Sequence, residues 1–286
     1  MKSAHRLSLL IYSFIYIALM QNIDIIPDGP KPVQLIHIKA STNHNEKASV
    51  ESGYIAEPPI NMDDHMRLHL DEFRTNVKKL CDAYPDSVFT CLPAAKNEIA
   101  LTFDDGPDPH ITPQILEILE EYNVKATFFV TGENVKKYPG IAKRIVKNGH
   151  QLANHSWSHQ RPTSIIPYDL LDEANKAQQI IEEEYLSSKF FRPPYGLVTP
   201  EQMQLLKKHG YIVIIWSVDS MDWYVTSAIE IQKCVLDKVQ AGAIVLMHSA
   251  GGHHGRKATI QALPQIITEL RKRGYQFVTL DQAFNF

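Results

Sequence analysis

Residues 98–107 read Glu98-Ile99-Ala100-Leu101-Thr102-Phe103-Asp104-Asp105-Gly106-Pro107, an apolar run that stops at two adjacent carboxylates. The apolar part has the length and content of a buried strand, and the Gly-Pro pair marks the turn that ends it. Because the chain bends at a strand end, both carboxylates can reach a common cleft, where one can hold a cation and the other take a proton. An ordinary turn is the competing interpretation, since Asp, Gly and Pro are common turn residues.

Short apolar runs typical of strands alternate with helical patterns from residue 98 to the C-terminus. The predicted strands are Ile99–Phe103, Ala126–Val130, His150–Asn154, Phe190–Arg192, Ile212–Ser217, Ala243–Met247 and Phe277–Leu280. The predicted helices are Pro113–Tyr122, Val135–Lys147, Tyr168–Tyr185, Pro200–His209, Ala228–Gln240 and Thr259–Arg273. Repeated βα units predict an α/β fold with a parallel sheet, either closed into a barrel or open and doubly wound. We favour a barrel with a gap, one unit short of eight.

Polar residues follow most of the predicted strands. Beyond Asp104 and Asp105, these strand ends carry Asn154-His155, Arg192-Pro193-Pro194-Tyr195, Asp219 with Asp222-Trp223, and Met247-His248. Ligands bind at the carboxyl ends of the strands in barrels and in open parallel sheets alike. The clustering therefore predicts a functional site at this edge of the sheet, which a single carboxylate pair would not do.

A metal site is the first expectation for this edge. His155 and His159 form an H-x-x-x-H pair, whose spacing presents two imidazoles to one cation if the segment is helical. With Asp105 they make a set of two histidines and one carboxylate that leaves coordination positions open. Hydrolytic sites use such a set, but redox iron uses it too, and a surface histidine pair is the plainer alternative.

The other strand ends favour hydrolysis over redox chemistry. Asp104 can act as a general base on water, with Arg192 as its ion-pair partner. His248 can act as the general acid for the leaving group, with a carboxylate to orient it. Considered one at a time, Arg192 would be interpreted as a surface ion-pair partner and His248 as a core histidine.

Five ordered stretches together resemble the motifs of the NodB-type polysaccharide deacetylases, carbohydrate esterase family 4. They are Thr102-Phe103-Asp104-Asp105-Gly106-Pro107, His155-Ser156-Trp157-Ser158-His159, Arg192-Pro193-Pro194-Tyr195-Gly196, Asp219-Ser220-Met221-Asp222-Trp223 and Leu246-Met247-His248. The resemblance runs from Glu98 to Phe284. It implies a distorted (β/α)7 barrel, the NodB homology domain, and the metal-dependent removal of acetyl groups from N-acetylated sugars.

The resemblance also implies roles for the residues that match. Asp104 is the base and Arg192 orients it. Asp105, His155 and His159 hold a divalent metal, usually zinc, with cobalt or another divalent ion in some members.

Further roles concern the substrate and the leaving group. The resemblance implies that the backbone N–H of Tyr195 contributes to an oxyanion hole. It implies that Asp222 tunes His248, which protonates the departing amine. Trp223 and Leu246 are expected to line the pocket for the acetyl methyl group.

The first residues differ in composition from the rest. Lys2, His5 and Arg6 precede the uncharged apolar run Leu7–Met20, which is the layout of a secretory signal but short for a membrane span. No small-x-small cleavage signal follows. We therefore expect residues 1–26 to be a signal peptide or membrane anchor that places the remainder outside the cytoplasm. Residues 27–61 are predicted as a polar spacer, 62–97 as a short helical and loop extension, and 98–286 as the catalytic domain.

Composition and cysteine usage agree with an exported globular protein. The 286 residues are 44% apolar and 21% charged, with a net charge of −3, which does not suggest a nucleic-acid binder. Cys81 and Cys91 are close enough in sequence to close a small loop as a disulfide in an oxidising compartment. Cys234 is predicted to be a buried thiol.

The sequence thus predicts a deacetylase that acts on a polymer containing N-acetylglucosamine. Peptidoglycan is the preferred substrate because an outward-facing domain on an N-terminal anchor lies beside it. Chitin or chitooligosaccharide and an O-acetyl esterase activity on xylan are alternatives within the same fold. A wall-polysaccharide-binding protein without turnover is the alternative of another class. The oligomeric state and any role of His253 and His254 are left open.

Overall fold

Nine strands form the centre of the computed structural model, counted over the residues that the structure describes, which are 51, 53–93, 97–183, 185, 189–251 and 256–286. These strands are β1 (Val88–Phe89), β2 (Glu98–Asp104), β3 (Thr127–Val130), β4 (Gln151–Asn154), β5 (Phe190–Phe191), β6 (Ile212–Ile214), β7 (Val218–Asp219), β8 (Ile244–His248) and β9 (Gln276–Phe277). They pair in the order β1-β6-β5-β4-β3-β2-β8-β7, and β9 also pairs with β2. All these pairings are parallel, which confirms the distorted barrel.

The α-helices of the described chain precede, separate or follow these strands. They are α1 (Asp64–Ala83), α2 (Thr112–Glu121), α3 (Gly132–Lys137), α4 (Pro139–Lys147), α5 (Pro167–Glu182), α6 (Pro200–Lys208), α7 (Ala228–Leu236), α8 (Lys257–Lys272) and α9 (Leu280–Phe284). The continuous helix predicted over Val135–Lys147 is wrong. Pro139 has no N–H to donate and begins a new helix at its first turn, so the chain breaks at Tyr138.

Two further predictions need correction near the ends of the barrel. The strand expected over Phe277–Leu280 stops at Phe277, because the Thr279 hydroxyl caps a short helix that begins at Leu280. The sequence patterns also missed β1 and β7, which are two residues long and too short to show a period. The short helix expected within residues 62–97 is longer than predicted, since α1 covers 20 residues.

The segment before β2 closes the gap in the barrel. Strand β1 pairs in parallel with β6, with Val88 opposite Val213, while Cys91 forms an antiparallel bridge with Ala243 on the other side of the gap. The Ala56 N–H donates to the Ser217 carbonyl at 2.7 Å, so a second part of the segment binds the same opening. This segment, part of which was expected as an extension, therefore pairs at both ends of the strand order, with β6 and with the residue before β7. All described residues fall within one compact unit, Glu46–Phe286.

The cysteines lie in this packed interior. Cys81 and Cys91 are buried thiols, and burial together with the neighbouring Cys81 raises the pKa of Cys91 to about 11. Their joining as a disulfide stays a prediction. Cys234 is buried within α7, as predicted.

Several predictions concern residues outside the described part of the chain. They include the apolar run Leu7–Met20, the spacer up to residue 50, and His253 with His254. Within the described part, no helix has the length and apolar content that crossing a bilayer requires.

Candidate active site

The carboxyl ends of β2 and β8 bring the expected base and the expected acid together. These neighbouring strands are in register, so that the Cα of Asp104 lies opposite the Cα of His248. Adjacent parallel strands lie about 4.8 Å apart, which puts both side chains at the mouth of the same cleft. The sequence could place each residue at a strand end, but only the pairing of β2 with β8 makes them neighbours.

Arg192 is a fully buried partner for Asp104. Its Nη1 donates to the Asp104 carboxylate at 2.6 Å and to the Thr102 hydroxyl at 2.8 Å. Its Nε and Nη2 donate to the carbonyls of Ile214 and Ile215 at 3.1 and 3.0 Å. The guanidinium is therefore held from three sides, and it fixes the direction in which the carboxylate points. This geometry excludes the surface ion pair that was the plain alternative for Arg192.

Asp105 lies beside the two histidines with which it was expected to bind a metal. Its Oδ1 is 3.5 Å from His155 Nε2 and 3.3 Å from His159 Nε2. One potential ligand atom from each of the three residues lies within 4.8 Å of the other two. Over the described residues, this is the group of three potential metal ligands that the structure brings together. The Asp105 Oδ1 atom is buried and has no hydrogen-bond partner. A buried carboxylate oxygen without a partner is costly, and a cation at this point would satisfy it.

The histidines have the orientation that metal ligands need. His155 Nδ1 lies 2.7 Å from the Arg192 carbonyl oxygen. Because a carbonyl oxygen can only accept a hydrogen bond, Nδ1 carries the hydrogen and Nε2 is the nitrogen that faces Asp105. Burial lowers the pKa of His159 to about 4, although the carboxylate of Asp105 opposes this. A neutral imidazole is the form that binds a metal. The residues present thus fit a divalent cation.

The H-x-x-x-H segment reaches this arrangement without forming a helix, although the prediction from its spacing assumed a helical turn. Ser156 and His159 both adopt left-handed backbone conformations, with φ of 65° and 59°. The Ser156 N–H donates to the Asn154 side chain, and the His159 N–H donates to the Ser156 hydroxyl. A tight polar loop therefore replaces the helical turn. Asp105 is also left-handed, with φ of 72°, which turns its side chain away from the strand direction.

His248 and Asp222 form the second charged pair of the cleft. His248 Nδ1 is 2.6 Å from Asp222 Oδ1, and the His248 backbone N–H donates to Asp222 Oδ2 at 3.0 Å. The Thr259 hydroxyl donates to the same Oδ2 at 2.8 Å. Burial alone would lower the pKa of His248, but the charge and hydrogen bond of Asp222 outweigh it, and the pKa of His248 is raised. Burial would raise the pKa of Asp222, but the charge and hydrogen bond of His248, together with Arg256 and Thr259, outweigh burial, and the pKa of Asp222 is lowered.

Tyr195 lies next to the ligand set. It occupies a single turn, Pro194–Gly196, with φ of 60°, and its ring centroid is 5.0 Å from that of His159. The next residue, Gly196, also has positive φ, and a Cβ there would lie 2.8 Å from the Trp216 ring and 2.9 Å from Phe73. Only glycine fits between these two aromatic side chains, so the turn that carries Tyr195 is packed from beneath.

The remaining predicted residues lie at or near the carboxyl ends of β7 and β8. Leu246 is buried and lies two positions before His248 on β8, so both side chains are on the same face of the strand. The Trp223 indole N–H donates to both oxygens of Asp219 at 3.2 Å, and Asp219 also accepts the Met221 N–H at 2.7 Å. Burial raises the pKa of Asp219 to about 6, although both of these hydrogen bonds lower it. Asp219 thus braces the loop that carries Trp223.

Sequence reasoning missed three supporting residues. Thr102 holds Arg192, Thr259 holds Asp222, and the Arg256 side chain donates to the Asp222 carbonyl at 2.8 Å. Thr102 was visible inside the quoted strand as the polar residue two positions before Asp104. Thr259 and Arg256 come from the start of α8, far along the chain, and no local pattern marks them.

These geometries define a class of site. A carboxylate–arginine pair, a three-residue metal-ligand set and a carboxylate–histidine pair meet at one end of a parallel barrel, which is the arrangement of a metal-dependent hydrolase. The comparison with known proteins makes the class specific. The sequence model of the polysaccharide deacetylase family matches residues 92–214.

Individual relatives agree with that match. The chain is 40% identical over 193 residues to the peptidoglycan-N-acetylglucosamine deacetylase of Bacillus cereus, covering 67% of this chain and 70% of that protein. The crystal structure of the Bc1960 peptidoglycan N-acetylglucosamine deacetylase superposes with a TM-score of 0.68 at 38% identity, covering 72% of this chain and 96% of the other. A Bacillus anthracis CE4 family pseudoenzyme superposes with a TM-score of 0.63 at 29% identity, covering 69% of this chain and 68% of the other. The chain belongs to the polysaccharide deacetylase family, carbohydrate esterase family 4, a metal-dependent family.

Proposed function

We propose that this protein removes acetyl groups from N-acetylglucosamine residues of peptidoglycan. The observation that carries the proposal is the register of β2 and β8, which sets Asp104 opposite His248 with the Asp105–His155–His159 set beside them. Amide hydrolysis needs a base for the attacking water and an acid for the departing amine, and two such groups at one cleft meet that need.

Each of the two charged pairs carries out one of the two proton transfers. Asp104, aimed by Arg192, takes a proton from water as the oxygen attacks the acetyl carbonyl carbon. Negative charge develops on the carbonyl oxygen, and the Tyr195 backbone N–H donates to it. The carbon–nitrogen bond then breaks as protonated His248 gives its proton to the amine nitrogen. The products are acetate and a free amino group on the sugar.

Asp105, His155 and His159 would hold the metal. When bound, a divalent cation polarises the carbonyl group and lowers the pKa of water. Zinc is our first candidate because imidazole and carboxylate are its common ligands in catalytic sites, and cobalt is the second. Trp223 and Leu246 are proposed to line the pocket for the acetyl methyl group.

Peptidoglycan is the proposed polymer for two reasons. The relatives described above by their activity are peptidoglycan N-acetylglucosamine deacetylases. The basic residues followed by the apolar run Leu7–Met20 are the layout of an export signal or anchor, which would deliver the barrel to the cell wall. We therefore propose that the protein acts outside the cytoplasm, either secreted or anchored at the membrane.

Acetate release tests the proposal directly. The full-length chain is treated with a chelator, reloaded with zinc or cobalt, and incubated with purified peptidoglycan, chitopentaose or acetylated xylan. We expect metal-restored release from peptidoglycan to exceed release from the other two. Faster release from chitopentaose would replace the polymer and keep amide hydrolysis, whereas faster release from xylan would replace amide hydrolysis with ester hydrolysis.

The alternative of another class is a wall-binding protein without turnover. One observation keeps it in view, namely the barrel shared with a family pseudoenzyme. Asp104→Asn separates the two functions, because it removes the base and keeps the shape of the side chain. If the protein is an enzyme, this variant binds peptidoglycan as the wild type does and releases acetate about 10³-fold more slowly. Wild-type protein with bound metal that releases acetate from none of the three polymers would favour the binding function.

A further inference from the structure

Two histidines outside the catalytic cleft face each other at the start of α1. His65 and His69 are one helical turn apart, and their Nε2 atoms are 3.1 Å apart. Their ring centroids are 4.2 Å apart with an interplanar angle of 84°. Neither residue belongs to the five family motifs or to the Asp105–His155–His159 set.

The separation of these nitrogen atoms matches two ligands of one cation. Zinc–nitrogen bonds are about 2.0–2.1 Å long, so two tetrahedral ligands lie about 3.3 Å apart and two at a right angle about 2.9 Å apart. Histidines four residues apart on a helix are a recurrent way to bind such a cation. An N–H···N hydrogen bond between the rings is the competing explanation, and the experiment below separates the two.

The surroundings of His69 supply a second observation. Its Nδ1 atom is buried without a hydrogen-bond partner, and the whole side chain is 15% exposed. The Glu72 carboxylate lies 3.9 Å from this nitrogen, whereas the other ring nitrogen, Nε2, is the one near His65. A metal-binding histidine commonly directs its second ring nitrogen towards a carboxylate, which fixes the ring.

The local charges compensate for the position of the pair at a helix start. The N-terminal end of a helix carries partial positive charge, which disfavours a cation. Asp63 caps the helix and Asp64 lies in its first turn, and both carry negative charge at this end. The nearby Arg74 is paired with Asp71 at 2.7 Å, so its charge is partly balanced.

We propose that His65 and His69 bind a divalent first-row transition-metal ion of the kind that prefers imidazole, such as zinc or copper. Two protein ligands hold the ion and water fills the other positions, so it binds more weakly than an ion at the three-residue set. One turn further along the same helix, Phe73 stacks on Trp216 at 5.3 Å and packs against Gly196 beside Tyr195. The ion would therefore stabilise the helix that supports the Tyr195 turn.

Zinc stoichiometry tests this site. Chelator-treated full-length protein is equilibrated with zinc by dialysis at up to 100 µM, and bound zinc is measured by elemental analysis. His65→Gln/His69→Gln is expected to bind one equivalent less than the wild type. His159→Gln should also lose one equivalent, and the equivalent that it keeps should be the weaker. His209→Gln, at the exposed C-terminal end of α6, is the matched control and should bind as the wild type does.

A spectroscopic measurement gives a second readout. Copper(II) added to the His159→Gln variant should show nitrogen couplings in its electron paramagnetic resonance spectrum, and the added changes His65→Gln/His69→Gln should remove them. Zinc-loaded His65→Gln/His69→Gln should release acetate within about twofold of the wild type, which separates this site from the proposed function. Equal zinc binding by the wild type and His65→Gln/His69→Gln, with both shown to be folded by circular dichroism, would overturn the proposal.

Discussion

The cleft contains two ion pairs, each formed by one carboxylate and one basic side chain, which are alike in geometry and different in chemistry. Asp104 meets Arg192 at 2.6 Å, and Asp222 meets His248 at the same distance. Both carboxylates are almost inaccessible to solvent. The guanidinium does not give up its proton in proteins, whereas an imidazolium does so within the physiological range. The partner of each carboxylate therefore decides which member of the pair can exchange a proton.

This difference assigns the two proposed roles. In the first pair the cation is permanent, so Asp104 is the member that can take up a proton. In the second pair Asp222 has a lowered pKa and His248 a raised one, so His248 is the member that holds the proton and gives it away. A base and an acid thus arise from similar ion pairs, and each can be changed separately.

The largest effect is expected from removing the base. Asp104→Asn keeps the size of the side chain but cannot take a proton from water. We expect the rate constant of acetate release to fall about 10³-fold, the middle of the range for a general base. Measuring kcat on the preferred polymer, with bound metal quantified in parallel, checks this. An Asp104→Asn variant with full metal content and a rate within tenfold of the wild type would contradict the assignment.

The next effect concerns stability. Arg192→Gln leaves the Asp104 carboxylate buried without its cation, and such a change typically costs about 3–5 kcal/mol in the free energy of unfolding. His248→Gln leaves Asp222 with the hydrogen bonds from Thr259 and from the backbone N–H of residue 248, and the His248 side chain is already 14% exposed, so its cost should be about 1 kcal/mol. Urea unfolding of the two variants gives both values. Equal costs would mean that the donors remaining at Asp222 do not compensate for the loss of the imidazole.

The third effect is a shift in the pH dependence. In Asp222→Asn the attraction that raises the pKa of His248 is lost, so the imidazole loses its proton at a lower pH. Activity that requires protonated His248 then declines earlier as the pH rises, and the alkaline limb of the kcat profile moves to lower pH. At the optimum we expect a fall of about 30-fold, less than for Asp104→Asn because Asp222 acts through His248. An unchanged alkaline limb would contradict the proposed acid.

The smallest effect comes from Thr259. Thr259→Val removes one hydrogen bond to Asp222 and leaves the carboxylate and His248 in place. One hydrogen bond is worth about 1 kcal/mol, which corresponds to a rate decrease of at most about fivefold. Because this hydrogen bond lowers the pKa of Asp222, its loss leaves the carboxylate a stronger partner for the His248 proton, and the alkaline limb should shift slightly to higher pH, opposite to the shift in Asp222→Asn. A shift to lower pH would show that Thr259 does not act through the charge of Asp222.

The sequence predicted the strand ends well because their signal is local. An apolar run that stops at polar residues is visible without any knowledge of neighbours, as at Phe103-Asp104 and Met247-His248. The chemistry of each end could also be anticipated, because carboxylate and imidazole have few uses at the carboxyl end of a buried strand. What could not be predicted was the pairing of β2 with β8, which makes Asp104 and His248 neighbours.

The remaining features of the fold and site could not be predicted because no local sequence pattern marks them. Strands β1 and β7 have two residues each and exist because the opening of the barrel offers unpaired backbone groups. Thr259 contacts Asp222 across 37 positions of sequence, so nothing near either residue announces the contact. The left-handed conformations at Ser156 and His159 depend on hydrogen bonds within the loop, which its spacing alone does not reveal.

The assignment of Asp104 as the base and His248 as the acid is tested most directly by comparing substrates with different leaving groups. An activated aryl acetate expels a phenolate that needs no proton, whereas an N-acetylated sugar expels an amine that does. With zinc-loaded protein, we predict that His248→Ala loses at least about 100-fold on the sugar but less than about tenfold on 4-nitrophenyl acetate. Asp104→Asn should lose heavily on both substrates. An equal loss by His248→Ala on the two substrates would contradict the claim that His248 is the acid.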